Sequence, residues 1–163
     1  MGWYSAALMA FQGPQIVRLE FTSAFEMVDL VHAVAEHVAR GVGLDEDAWH
    51  WTGVAIRESV INAIKHGNRN DSTKRVFVRF ETATRNGIPE LTIAVRDQGA
   101  GFDPDLVADP LAPENVLKAS GRGIFLIKTF MDDVHLERAA EGGMEIRMTK
   151  RNAPASPEAD ARA

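Results

Sequence analysis

Not one of the 163 positions is cysteine. That absence removes disulfides, thiolate nucleophiles and every zinc site built on cysteine, and it is compatible with a cytoplasmic protein. No run of about 18 apolar residues occurs, so no membrane-spanning helix is expected. An excess of positive charge is also lacking. Eighteen Lys and Arg stand against 23 Asp and Glu, a net charge of −5, which argues against direct nucleic-acid binding by phosphate neutralisation. The stretch from Met1 to Phe11 has no basic start for a signal peptide, and Ala6 stands where a myristoylation motif has Ser or Thr. Residues 1–15 therefore read as a poorly ordered lead-in. There is no G-x-x-x-x-G-K-[ST] loop, no H-R-D and no D-F-G motif.

What is present is an ordinary globular composition, 45% hydrophobic and 25% charged, at a length suited to one domain with a real core. Ile16 to Phe21 alternates as a strand. Ser23 and Glu26 have the spacing of a capping box, followed by Met27, Val28, Val31, Val34, Ala35 and Val38 at helical spacing. Gly41 and Gly43 close that helix, and Leu44 to Asp47 opens the next with acid at its positive dipole end. The second helix stops at Gly67. Val76, Val78 and Phe80 alternate before Asn86-Gly87, and Leu91, Ile93 and Val95 alternate after it, which predicts a hairpin ending at Asp97.

Residues 102–120 carry Pro104, Pro110 and Pro113 without periodicity and read as a long loop. Gly121-Arg122-Gly123 then opens an apolar helix over Ile124 to Met131. Two short alternating runs, Val134 to Leu136 and Met144 to Met148, flank a Glu141-Gly142-Gly143 turn. Residues 151–163 read as a disordered tail. This order predicts an α+β fold, a two-layer sandwich with one mixed, mostly antiparallel sheet covered by helices on one face.

Three clusters carry chemistry. Glu58, Asn62 and His66 lie at i, i+4 spacing, and each step drifts only about 40° round a helix, so they share one face. A carboxamide oxygen suits Mg²⁺, and a carboxylate one turn away can accept a proton. Asp97-Gln98-Gly99-Ala100-Gly101 ends a strand with an acceptor suited to an exocyclic amine and two glycines that permit close approach to a flat ligand. Ser120 to Gly123 leads from loop into helix, where free amides attract anions. Taken singly, these are also a solvated helix stripe, a strand-exit turn and a glycine hinge. Taken together they are the parts of a Mg-ATP site.

The set resembles the GHKL ATPase superfamily, whose ATP site combines an N box, a D-x-G-x-G box and a G-x-G box. Glu58-Ser-Val-Ile-Asn62-Ala-Ile-Lys-His66-Gly67 is similar to the E-x-x-x-N-x-x-x-H-G form of anti-sigma factor serine kinases of the RsbW/SpoIIAB type. Ser120 to Val134 is similar to their second glycine box, and the resemblance covers residues 16–150. It implies a Bergerat-type ATPase/kinase domain whose lid is 102–120. It implies Glu58 as general base toward a Ser or Thr hydroxyl, Asn62 as Mg²⁺ ligand, and Asp97 as the adenine acceptor, with Gly99 and Gly101 shaping that wall. The amides of Gly121 and Gly123 would hold phosphates, and Lys118 or Arg122 would add positive charge near them.

The partners implied are a sigma factor and a STAS-type anti-anti-sigma protein, with a homodimer compatible with the resemblance. The alternative is a nucleotide-gated module that sequesters a partner without phosphotransfer. A histidine kinase half is disfavoured because no helical segment with a phospho-accepting His is present. An ATP hydrolase is disfavoured for want of a transducer domain. Relatives have Gly-Thr at the start of the last strand where this chain has Gly143-Met144, so a hydroxyl contact near adenine is expected to be missing. His32, His37, His50 and His135 show no ligand spacing, His66 is expected to orient the helix end, and Trp49 and Trp51 are expected as core or interface anchors.

Overall fold

The computed structural model describes residues 10–101 and 119–153. Most of the lead-in, residues 102–118 of the expected lid (Lys118 among them) and the tail from residue 154 lie outside the described residues. The elements follow in the expected order. Strand β1 (Ile16–Thr22) leads into helix α1 (Met27–Val42), then helix α2 (Glu46–Asn62). Strands β2 (Arg75–Arg85) and β3 (Ile88–Arg96) form the hairpin, and helix α3 (Ala119–Phe130) precedes strands β4 (Asp133–Arg138) and β5 (Met144–Arg151).

The five strands form one sheet in the order β1-β2-β3-β5-β4, and all four pairings are antiparallel. The sheet is thus at the antiparallel limit of the arrangement expected. Val76, Val78 and Phe80 of β2, Leu91, Ile93 and Val95 of β3, and Ile146 and Met148 of β5 are buried in one cluster with residues of α1, α2 and α3. Val31, Ala35 and Val38 enter it from α1, Ile56 and Val60 from α2, and Ile127 from α3. Each large aliphatic side chain so buried contributes about 1.5–3 kcal/mol. The other face of β2, with Phe77, Arg79 and Glu81, stays partly exposed, so the helices cover one side.

Local chemistry accounts for most element ends. Asn86 and Gly87, with φ of 53° and 79°, turn the β2–β3 hairpin as the left-handed pair that such a tight turn requires. Gly43, at φ 93°, caps α1, and its N–H donates to carbonyls of the last turn. Asp45 caps α2 by accepting from the Ala48 N–H at 2.8 Å.

The capping box at Ser23 and Glu26 does not form. Helix α1 starts after Glu26 with no side-chain cap, and the Ser23 hydroxyl is buried without a partner among the described residues. The reason lies in the main chain. The Ser23 N–H continues the β1–β2 pairing by donating to the Lys74 carbonyl, and turn bonds from Met27 to Ala24 and from Val28 to Phe25 take up the first amides.

Candidate active site

Helix α2 ends in a widened π turn, Ala63–Gly67, a form that often accompanies functional sites. Glu58 and Asn62 sit half-buried on the last α-helical turns, whereas His66, inside the π turn, is exposed. The expected line of three is therefore two residues covered by protein and one at the surface.

What covers them is the start of α3. A Cβ placed on Gly123 would stand 2.9 Å from Asn62 Nδ2 and 3.0 Å from Glu58 Oε2. Only a residue without a side chain lets the α3 backbone come this close to the carboxylate–carboxamide pair. Helix α3 begins at Ala119, so Gly121 and Gly123 lie within its first turns rather than ahead of it. The amides of Ala119 to Gly121 are then those without an intrahelical acceptor, and the dipole of α3 adds partial positive charge at that end. Arg122 is exposed.

Asp97 lies just past β3 and is buried, with 5% relative exposure. Its Oδ1 accepts from the Gly99 N–H at 2.8 Å and from the Met144 N–H at 3.2 Å, and its own N–H donates to the Met144 carbonyl at 3.1 Å. Oδ2 has no hydrogen-bond partner among the described residues. Three glycines from separate segments close around this carboxylate. A Cβ on Gly67 would overlap the Asp97 carboxyl, one on Gly99 would overlap the Gly67 carbonyl, and one on Gly143 would overlap the Asp97 carbonyl. Gly143 also has a φ of 83°, which disfavours any side chain. Gly101, at φ 70°, lies beside the Arg138 guanidinium and the Gly143 carbonyl.

The two clusters are joined by covalent structure, since Gly67 closes the π turn that begins directly after Asn62. The fold thus assembles Glu58, Asn62, Gly67, Asp97, Gly99, Gly123 and Gly143 from four separate stretches of chain. Met144, expected to lack the hydroxyl contact of a Thr, is buried and keeps its backbone amide on Asp97.

The remaining histidines do not converge. His37 packs edge-on against Phe11, His50 lies edge-on to Trp49 and Trp51, His32 abuts Gly53, and His135 is exposed. Among the described residues no group of three or more His, Asp or Glu could hold a metal on its own. A Mg²⁺ site here would have to take most of its ligands from phosphates and water, which is the usual habit of that ion.

One contributor and one pairing were not anticipated from sequence. Asn68, fully buried, donates from Nδ2 to the Arg75 carbonyl at 3.0 Å and accepts the Gln98 N–H on Oδ1 at 2.8 Å. Trp51 stacks on Phe130 and so ties α2 to α3. The anchor role was expected of Trp51, but nothing local could name its partner.

Residues 21–150 match the histidine kinase-like ATPase domain family. The chain is similar to the serine-protein kinase RsbW of Bacillus licheniformis, 31% identical over 133 residues that make up 77% of this chain and 78% of that protein. It is also similar to the serine-protein kinase RsbW of Staphylococcus aureus strain JH9, 28% identical over 141 residues, 82% of this chain and 85% of the relative. With these kinases, the chain belongs to the histidine kinase-like ATPase domain family.

Proposed function

We propose that the protein is an ATP-dependent protein serine/threonine kinase that acts as an anti-sigma regulatory factor in the cytoplasm. Its phosphoryl acceptor would be a STAS-type anti-anti-sigma protein, and its second partner a sigma factor. The observation that carries this reading is the approach of Gly123 to both Glu58 and Asn62, which brings a helix N-terminus onto a carboxylate and a carboxamide. The names of the similar kinases support the same reaction class.

The residues fit a bound adenine nucleotide. A buried carboxylate with one oxygen free of partners among the described residues, walled by glycines, suits the amine of adenine. Asp97 would accept that hydrogen bond, and Gly99 and Gly101 would leave room for the flat ring. Asn62 would contribute one oxygen to Mg²⁺, and the amides from Ala119 to Gly121, which the helix leaves without an acceptor, would hold phosphate oxygens, with Lys118 or Arg122 adding positive charge. Bound Mg-ATP supplies the phosphoryl group and the neutralising cation.

The protein's part in the reaction is positioning and one proton. Glu58 takes the proton of the incoming Ser or Thr hydroxyl as its oxygen bonds to the γ-phosphorus, and ADP leaves with the pair of electrons from the broken P–O bond. A module that only binds would have no use for a carboxylate at that point.

The test is a phosphotransfer assay with radiolabelled ATP, Mg²⁺ and a panel of STAS-domain proteins. Label on one Ser or Thr of a panel member is the expected result. No label, with ATP binding measured separately and present, would overturn the kinase reading in favour of a nucleotide-gated binding module.

A further inference from the structure

We infer that Asn68 is a positioning residue that holds the adenine end of the site open by splitting the sheet beside Asp97. This inference rests on the reading of Asp97 as the adenine acceptor.

The β2–β3 ladder ends with the pair Phe77 and Arg96. By the same register Arg75 faces Gln98, and two more main-chain bonds would ordinarily join them. Neither forms. The Asn68 carboxamide stands between the strands instead, accepting the Gln98 N–H at 2.8 Å and donating to the Arg75 carbonyl at 3.0 Å. Gln98 completes the ring, its side-chain Oε1 accepting the Arg75 N–H at 2.7 Å. One amide side chain thus satisfies both main-chain groups while keeping the strands a side chain's width apart. Asn68 is itself fixed from behind, because its N–H donates to the Ala63 carbonyl across the π turn at 2.8 Å.

The fork has a consequence on each side. Strand β3 leaves β2 but stays on β5, since the Asp97 N–H still donates to Met144. The gap opened toward β2 is where Gly67 lies against the Asp97 carboxyl and under Gly99. Without the carboxamide, Arg75 and Gln98 would zip together or be left unsatisfied. Either change moves the residue next to Asp97 and presses Gly67 into its carboxylate. Asn68 is fully buried and makes no contact that a partner protein could use.

The test compares affinities for Mg-ATP and Mg-GTP by calorimetry in the full chain. The variants are Asn68→Asp, which keeps the acceptor but loses the donor to Arg75, Gln98→Ala, which removes the exposed half of the ring, and Asp97→Ala as reference. Asn68→Asp is expected to weaken ATP binding about tenfold and to lower the ATP-over-GTP ratio, because its effect reaches the base through Asp97. Gln98→Ala is expected to move the ratio in the same direction by less. A general loss of stability would weaken both nucleotides alike and leave the ratio unchanged. An unchanged ratio in folded Asn68→Asp, with Asp97→Ala abolishing ATP binding, overturns the role of Asn68 and leaves the site reading standing. If Asn68→Asp does not fold, an unchanged ratio in Gln98→Ala has the same meaning. Wild-type ATP affinity in Asp97→Ala overturns the site reading, and this inference with it.

Discussion

The rings of Trp51 and Phe130 lie face to face, with centroids 3.9 Å apart and planes 10° from parallel. Trp51 belongs to α2 and Phe130 is the last residue of α3, so this stack fastens the end of α3 remote from Gly123. The position of Gly123 over Glu58 and Asn62 is then tied to packing about two helical turns away. Removing the indole should cost about 2 kcal/mol of stability through lost burial and stacking. Trp51→Ala should also weaken ATP binding several-fold, while Trp51→Phe restores most of both losses. Urea melts and calorimetry on the two variants measure this, and unchanged ATP affinity in folded Trp51→Ala would separate the stack from the site.

Gly123→Ala offers a cleaner separation of activity from stability. The nearest atoms to the new methyl would be Asn62 Nδ2, Glu58 Oε2 and Asn62 Oδ1, the far ends of side chains that can rotate away. Alanine is also the better helix former by about 1 kcal/mol. Thermal stability should therefore hold or rise slightly, while phosphotransfer falls at least about tenfold because both polar groups leave their places. A variant with full activity would show that Glu58 and Asn62 do not work in the arrangement seen.

Glu58 and Asp97 should fail differently. Glu58→Gln keeps the size and hydrogen bonding of the side chain but cannot take a proton, so Mg-ATP affinity should stay near wild type. Its transfer rate should drop by roughly 10²–10⁴. Asp97→Ala removes the buried acceptor and should abolish measurable ATP binding. Paired calorimetry and radiolabel transfer read the two effects, and normal transfer by Glu58→Gln would remove the general-base role.

Acid sensitivity should centre in part on Glu90. Burial pushes its carboxyl up, but hydrogen bonds from Arg151 and Arg85, at 2.7 and 3.0 Å, outweigh that and hold it below the ordinary glutamate range. A folded-state pKa below the unfolded one means the ion pairs stabilise the fold above the ordinary glutamate pKa. That contribution is lost as pH falls through the depressed folded value. Because Arg85 is largely and Arg151 partly solvent-exposed, Glu90→Gln should cost only about 1 kcal/mol at neutral pH. The gap between mutant and wild type should close on acidification below the ordinary glutamate range. Chemical melts across that range would expose a constant gap, which contradicts the assignment.

The elements that sequence reading located share one property, a signal confined to a few neighbouring residues. The apolar alternation of Val76, Val78 and Phe80, the Asn86-Gly87 turn and the Asp45 cap are each readable within one turn or one hairpin. So are the motifs around Glu58, Asp97 and Gly123, each a set of specific residue types at fixed spacing. The capping box at Ser23 misled because the Ser23 N–H that Glu26 would bind is taken by the Lys74 carbonyl, which lies just before a distant strand. Asn68 gave no signal at all. An asparagine after a glycine reads as turn material, and its partners lie 7 and 30 positions away.

By itself, the sequence determined which segments become strands and helices and which faces they bury, since backbone propensity and side-chain period are local properties. It also determined the chemical inventory, the Glu58–Asn62 carboxylate–carboxamide pair and a strand-end Asp with glycines beside it. Tertiary structure alone decided the strand order, in which β5 enters between β3 and β4 and brings Gly143 and the Met144 amide onto Asp97. It alone decided that α3 would pack on α2 closely enough for Gly123 to touch Glu58 and Asn62. Those contacts follow from burying one shared core under α1, α2 and α3, and no short window of sequence contains the shape of that core.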